Sequence, residues 1–205
     1  MSKGACIKGS VFAAAVEDVN KLIIGGSLTR AEAGRWLEPP DFALLEAQIS
    51  VASWYDIRCY DRMSCLLRDV EGDGRNEYLR DKGRLTARRL LEAGLYTQLE
   101  YLQRTEFSKQ SSVQQRFRAF GSDLKRLNTL SASILNFSCW TARPDPEHAK
   151  RYVIEVSEAT EMPETLAWRS DGFVNEMAAQ HDTPDLWSWT RPRPDLVVFR
   201  MKREI

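Results

Sequence analysis

The chain has little of what usually advertises chemistry. Its 205 residues include two histidines and four cysteines. None of Cys6, Cys59, Cys65 and Cys139 forms a CxxC pair, and their spacing suggests no zinc knuckle or finger. In a reducing cytosol such residues read as four free thiols used as small hydrophobes. Net charge is missing as well: 29 basic residues balance 29 acidic ones, so no global field draws nucleic acid or an acidic membrane. No uninterrupted apolar run reaches transmembrane length. The opening MSKGACIKGSVFAAAVEDVNKLIIGG is apolar on one helical face only, and Glu17 and Asp18 interrupt what a signal core requires. A cytoplasmic protein with no membrane span is expected. The GxGxxG, Walker and GxSxG patterns are absent, which removes support for a nucleotide loop or a serine nucleophile elbow.

What is present is an ordinary globular composition, 43% hydrophobic and 28% charged, long enough to bury a core without metal or disulfide staples. Phe12, Ala15, Val16, Val19, Leu22 and Ile23 recur at helical spacing over residues 10 to 24, and Gly25-Gly26 supplies a stop. Thr29 and Glu32 form a capping-box pattern before a short helix that ends ahead of Pro39-Pro40, and DFALLEAQI is a further short helix. Longer helices are expected over 53 to 70, 75 to 93, 95 to 106, and along a stripe of Val113, Phe117, Phe120, Leu124 and Leu127. Near residue 130 the pattern turns to alternation. SASILNFSCW and RYVIEVSEA read as strands, PETLAWRSDGFVNEMAAQ as a helix with Pro163 in its first turn, and LWSWT and DLVVFRMKRE as strands joined by an RPRP turn. The expectation is one α/β domain of the α+β kind over 1–205, its helical half (1–128) packed on an antiparallel sheet from the β-α-β half (129–205). The order is helices, then strand–strand–helix–strand–strand.

One loop, DVEGDGRNEYLR, has the outline of a calcium-binding hand between two helices. Asp69, Glu71 and Asp73 fall at ligand positions and Gly74 at the required turn. Arg80, however, occupies the closing position, where a bidentate glutamate must complete the coordination sphere. Calcium is therefore disfavoured. The glycines read as a turn, with Asp73 capping the helix that follows. Gly83 is different: it lies mid-helix, where glycine costs about 1 kcal/mol against alanine, on the apolar stripe between Leu79 and Ala87. Another backbone, a strand or a helix, is expected to approach there.

ASWYDIRCYDRM, the G-x-G loop and LRDKGRLTARRLLEAG together resemble a family of uncharacterised bacterial proteins expanded in myxobacteria. Its Trp-Tyr-Pro motif, following aromatic, and Gly-Arg step with a later Ala map onto Trp54-Tyr55, Tyr60, Gly83-Arg84 and Ala87. Asp56 stands where the family has proline, and the likeness covers residues 8 to 95. The order of elements also resembles a superfamily of haem nitric-oxide-binding domains, four-vinyl-reductase-type ligand-binding domains and small vesicle-tethering subunits. That resemblance implies an α/β sandwich, often dimeric, with a small molecule or acyl chain between helices and sheet. Its haem-binding members use a proximal histidine in the helical half and a Tyr-x-Ser-x-Arg motif. Here the histidines are His148 and His181, both late in the chain, and the motif is missing, so haem is disfavoured.

Neither histidine has a convincing catalytic partner in the sequence, and both read as polar surface. The clusters Arg84/Arg88/Arg89 and Arg116/Arg118/Lys125/Arg126 read as solvated helix faces among glutamates. Trp140, Trp168, Trp187 and Trp189 suit core packing, or a pocket or interface. With no catalytic motif found, the expected function is a non-enzymatic bacterial sensory or regulatory domain. It binds a small apolar ligand or a protein partner, with no cofactor. Its pocket is expected near Trp54, Tyr60, Leu79, Gly83 and Phe137. The alternative is a homodimeric interaction or scaffold protein with no small-molecule ligand, using a face such as Val113/Phe117/Phe120/Leu124.

Overall fold

The computed structural model describes residues 4–92 and 113–204. In chain order it has β1 (Cys6–Lys8), α1 (Gly9–Ile24), α2 (Arg30–Ala33), α3 (Pro39–Glu46), β2 (Trp54–Asp56), α4 (Ile57–Glu71) and α5 (Asn76–Glu92). After these come α6 (Val113–Ile134), β3 (Cys139–Pro144), β4 (Tyr152–Ser157), α7 (Glu164–Ala179), β5 (Trp187–Arg193) and β6 (Leu196–Met201). This is the expected α+β order. The helix expected over 95 to 106 lies outside the described residues.

Local chemistry accounts for most boundaries. The Thr29 box closes with Glu32 N–H donating to Thr29 Oγ1 at 3.2 Å and Thr29 N–H to Glu32 Oε2 at 2.8 Å. Asp56 caps α4, its carboxylate accepting from Arg58 N–H at 2.9 Å. The helix therefore starts at Ile57, the first residue of its apolar stripe, rather than at 53 as expected, and Trp54–Asp56 instead pairs with β1. Two strands of three residues carry too little alternation to stand out in a sequence. Further on, SASI continues α6 rather than opening a strand, so the helix runs through the boundary expected at 128/129. A helix already propagating extends at small cost where no proline or glycine stops it. Pro163 is the N-cap of α7 rather than part of its first turn. The RPRP segment also divides: β5 runs to Arg193, and the register shifts between Thr190 and Arg193. Pro192 is tolerated because β5 is an edge strand.

The sheet order is β3-β4-β6-β5, all antiparallel. Its inner face presents Trp140, Ile154, Val156, Val197, Phe199 and Trp187 to the buried core. The outer face is polar, with the Arg143 guanidinium forked onto Glu155 at 2.6 and 3.0 Å. Helix α6 lies on the inner face: Phe117 stacks on Tyr152 with centroids 4.3 Å apart, and Phe120 on Trp187 at 6.2 Å. Gly121 makes room, since a Cβ there would overlap the Tyr152 ring, whose hydroxyl donates to Phe117 O at 3.1 Å. Phe117, Phe120 and Leu124, the stripe suggested for a dimer contact, are thus turned into the core. The side chains of Val113 and Leu127 lie outside the described residues.

Helices α5 and α7 touch through their backbones. A Cβ on Gly83 would overlap the carbonyl oxygen of Arg169, and a Cβ on Gly172 would overlap that of Arg80. The contact is reciprocal: each helix carries R-x-x-G, and each arginine carbonyl faces the other helix's glycine. Charges flank the crossing. Arg80 donates to Asp171 of α7 and to Asp185, while Arg88 is forked onto Glu176 at 2.7 and 3.1 Å. The backbone expected against Gly83 is that of α7.

Alanine at either glycine gains about 1 kcal/mol in helix propensity but forces the backbones apart. We expect net losses of roughly 1–3 kcal/mol in urea denaturation for Gly83→Ala and for Gly172→Ala, and at least about 2 kcal/mol for Gly83→Leu. The double alanine variant loses less than the sum, because one separation relieves both overlaps. Additive or neutral effects would contradict this contact.

Candidate functional site

The five residues expected around a pocket divide into two groups. Tyr60 on α4, with Leu79 and Gly83 on α5, belongs to the region where α4, α5 and α7 meet, and all three are buried. Trp54 is partly exposed on β2, with the Lys8 ammonium 4.5 Å above its ring. Phe137 is half-buried beside Asn136. The Asn136 amide clamps the N-terminal segment, accepting from Cys6 N–H at 2.7 Å and donating to Gly4 O at 3.1 Å. Trp54 and Phe137 therefore flank β1, while the other three residues flank α7.

Helix α7 ties this junction to the sheet. At its start, Thr165 donates to Asp61 of α4 at 2.5 Å. One turn later the Arg169 guanidinium lies 5.4 Å from the centre of the Tyr60 ring. Gly172 then meets α5. The Asn175 amide next grips β5, accepting from Trp187 N–H at 2.8 Å and donating to Trp187 O at 3.2 Å. Burial raises the Tyr60 hydroxyl above the ordinary phenol range, opposed by the charge of Arg169 and by the neighbouring Ser64 hydroxyl. Burial likewise pushes Tyr78 up, reinforced by its hydrogen bond to Glu71. Lys82 lies nearby, 2.8 Å from Asp18 and 3.7 Å from Glu71.

Arg169 and Ser64 escaped the sequence reading. A signal for Arg169 was there: R-x-x-G occurs at Arg80–Gly83 and again at Arg169–Gly172 inside two helices. Pairing the two motifs would have placed Arg169 at the crossing.

The reactive groups elsewhere are held in place. Asp41 is buried; desolvation pushes it up, yet the Arg62 fork at 2.6 and 2.7 Å, the Cys59 thiol and Glu38 N–H together hold it below the ordinary carboxylate range. Burial raises the Cys59 thiol strongly and pushes Cys65 up to about 11, so neither is a ready thiolate. In the DVEGDGRNEYLR loop, Asp69 accepts from Trp36 Nε1 and Arg68 Nε, both at 2.8 Å. Asp73 lies in a left-handed turn beside Gly74, and α5 starts at Asn76, so Asp73 does not cap it as expected. Arg80 points to α7 instead. Among the described residues, no three His, Cys, Asp or Glu side chains gather as a metal would need. His148 is exposed in a turn, and His181 is buried edge-on to Phe120, with ring centres 5.3 Å apart. Neither lies in the helical half of the chain.

Other sequence features serve packing. Trp187 meets Phe120, Trp140 stacks on Phe199 at 5.7 Å, and Trp168 sits edge-on to Trp189 at 5.4 Å. Arg84 bonds Asp81, and Arg88 bonds Glu176, which breaks up the first basic cluster. The side chains of Arg116 and Arg126 in the second lie outside the described residues. Among the described residues, no helix is long and apolar enough to cross a membrane.

Asp185 anchors the far side of the crossing. Lys202, at 2.6 Å, and Arg80 pull its carboxyl down to about 2. A carboxyl lowered by folding adds stability above its unfolded value of roughly 4 and loses it as pH falls towards the folded value. Asp171 works the other way, raised chiefly by burial against the pull of Arg80. Urea midpoints measured from pH 5 down to pH 2 should therefore fall, and Asp185→Asn should make that fall shallower. An unchanged slope in the variant would show that Asp185 carries none of it.

No family model matches the sequence, and no curated protein matches it. Among solved structures, a mutant H-NOX of T. Tengcongensis is similar with a TM-score of 0.48 and 11% identity, covering 97% of this chain and 100% of that one.

Proposed function

We propose that this chain is a non-enzymatic sensory or regulatory domain that binds a small, largely apolar molecule where α4, α5 and α7 meet. The observation that carries this reading is the course of α7. On successive turns it contacts Asp61 and Tyr60 of α4, the backbone of α5, and strand β5. A molecule seated between α4 and α7 would bias the position of one helix that also holds the edge of the sheet. The chemistry of the surrounding groups supports holding rather than reacting. The buried carboxylates Asp41, Asp171 and Glu176 are engaged by arginines, and the Cys59 thiol beside Asp41 is raised. In this reading Tyr60 and Leu79 form the floor of the site, Gly83 seats α7 against α5 beside it, and Trp54 and Phe137 belong to the β1 clamp.

Native mass spectrometry of the full chain, before and after exposure to a bacterial small-molecule extract, tests the reading. The expected result is an added small mass that denaturation releases and that Tyr60→Ala loses. A chain that stays bare in both states would overturn it. Two bare chains together would point instead to the homodimeric interaction protein.

A further inference from the structure

We propose that the molecule bound at this junction carries an oxyanion, a carboxylate or phosphate group, that Arg169 receives. The inference rests on the ligand-binding reading and names the chemical class that the site takes.

Among the described residues, each buried carboxylate lies beside an arginine. Asp41 has Arg62, Asp171 has Arg80, Glu176 has Arg88, and Asp145 has Arg200 at 3.7 Å. Arg169 is the remaining charged residue of the buried set, 9% exposed, and its guanidinium makes no ion pair or hydrogen bond among the described residues. A largely buried guanidinium with no carboxylate beside it favours an anion that can reach its N–H edge. The face of the Tyr60 ring offers part of that compensation, but a ring face accepts no N–H bond. The N–H edge of the guanidinium is left to something else.

Among the described residues, no carboxylate is paired with Arg169, and those on the neighbouring elements have partners of their own. Asp61 takes the Thr165 hydroxyl, Glu71 takes the Tyr78 hydroxyl, and Asp18 and Glu71 hold Lys82. Asp171 and Glu176, on the same helix as Arg169, are committed to α5. The guanidinium nitrogens are not sealed from solvent, so an anion can reach them. A two-oxygen group matches the planar fork of an arginine edge, whereas chloride does not. On α4, the ring of Tyr60 faces Arg169 of α7, and Ser64 lies buried one turn further along. The buried Leu79 supplies an apolar surface on α5. An acid with an apolar body fits this mixture.

Thermal unfolding of the full chain, titrated separately with sodium phosphate, acetate, octanoate and chloride at one ionic strength, tests the proposal. Phosphate or the carboxylates should raise Tm above the chloride curve. Preference for octanoate over acetate identifies a carboxylate with an apolar tail, and preference for phosphate identifies a phosphate head. Arg169→Gln should abolish the anion-specific rise, and Arg169→Lys should weaken it about tenfold, by loss of one charge-assisted bond. Four superimposable curves for the wild-type chain would overturn the proposal, as would an undiminished rise in either variant that folds. A neutral molecule found on the chain by native mass spectrometry would sink the anion and leave the ligand-binding reading standing.

Discussion

Two backbones touch at Gly83 and Gly172, and the arrangement of charge around the helical layer follows from that approach. Helices this close leave no room for side chains between them, so polar groups are driven to the flanks. On one flank Arg80 reaches Asp171 and Asp185; on the other Arg88 reaches Glu176. The same crossing fixes Arg169. Its carbonyl packs on Gly83 while its side chain is carried across to Tyr60 of α4. A bulkier residue at either glycine would therefore displace the ion pairs and the candidate site together.

How this geometry serves function depends on α7 being shared. The helix forms one wall of the three-helix junction and also grips β5 through Asn175. A local event at Tyr60 and Arg169 therefore has a rigid path to the sheet edge. The loop between α7 and β5 is tied into the same system, with Asp185 held by Arg80 and Lys202. In the proposed reading, binding energy spent at the junction would be felt at the C-terminal strand without any reactive group taking part.

Much of the fold was legible because its signals are periodic and local. The amphipathic stripes gave the long helices, alternation gave β4 and β6, and the Thr29 box is present atom for atom. Gly83 showed that a backbone must approach, although the partner's identity depends on a contact nearly ninety positions along the chain. The misreadings share a cause. Strands β1 and β2 are three residues each and exist through pairing with each other, and the SASI segment belongs to α6 because the preceding helix propagates into it. Of the proposed site, Tyr60, Leu79 and Gly83 were readable as apolar or special positions. Arg169 was not, since an arginine on a mixed helix reads as surface until the second R-x-x-G is set against the first.

The central claim is that α5 and α7 behave as one unit closed at their glycines. Native-state amide hydrogen exchange tests this most directly, because backbone amides report the free energy of opening residue by residue. The account predicts that amides around Arg80–Ala87 and Arg169–Glu176 open together, at a free energy equal to that of global unfolding. Exchange of α5 at a distinctly lower free energy, with α7 still protected, would contradict it.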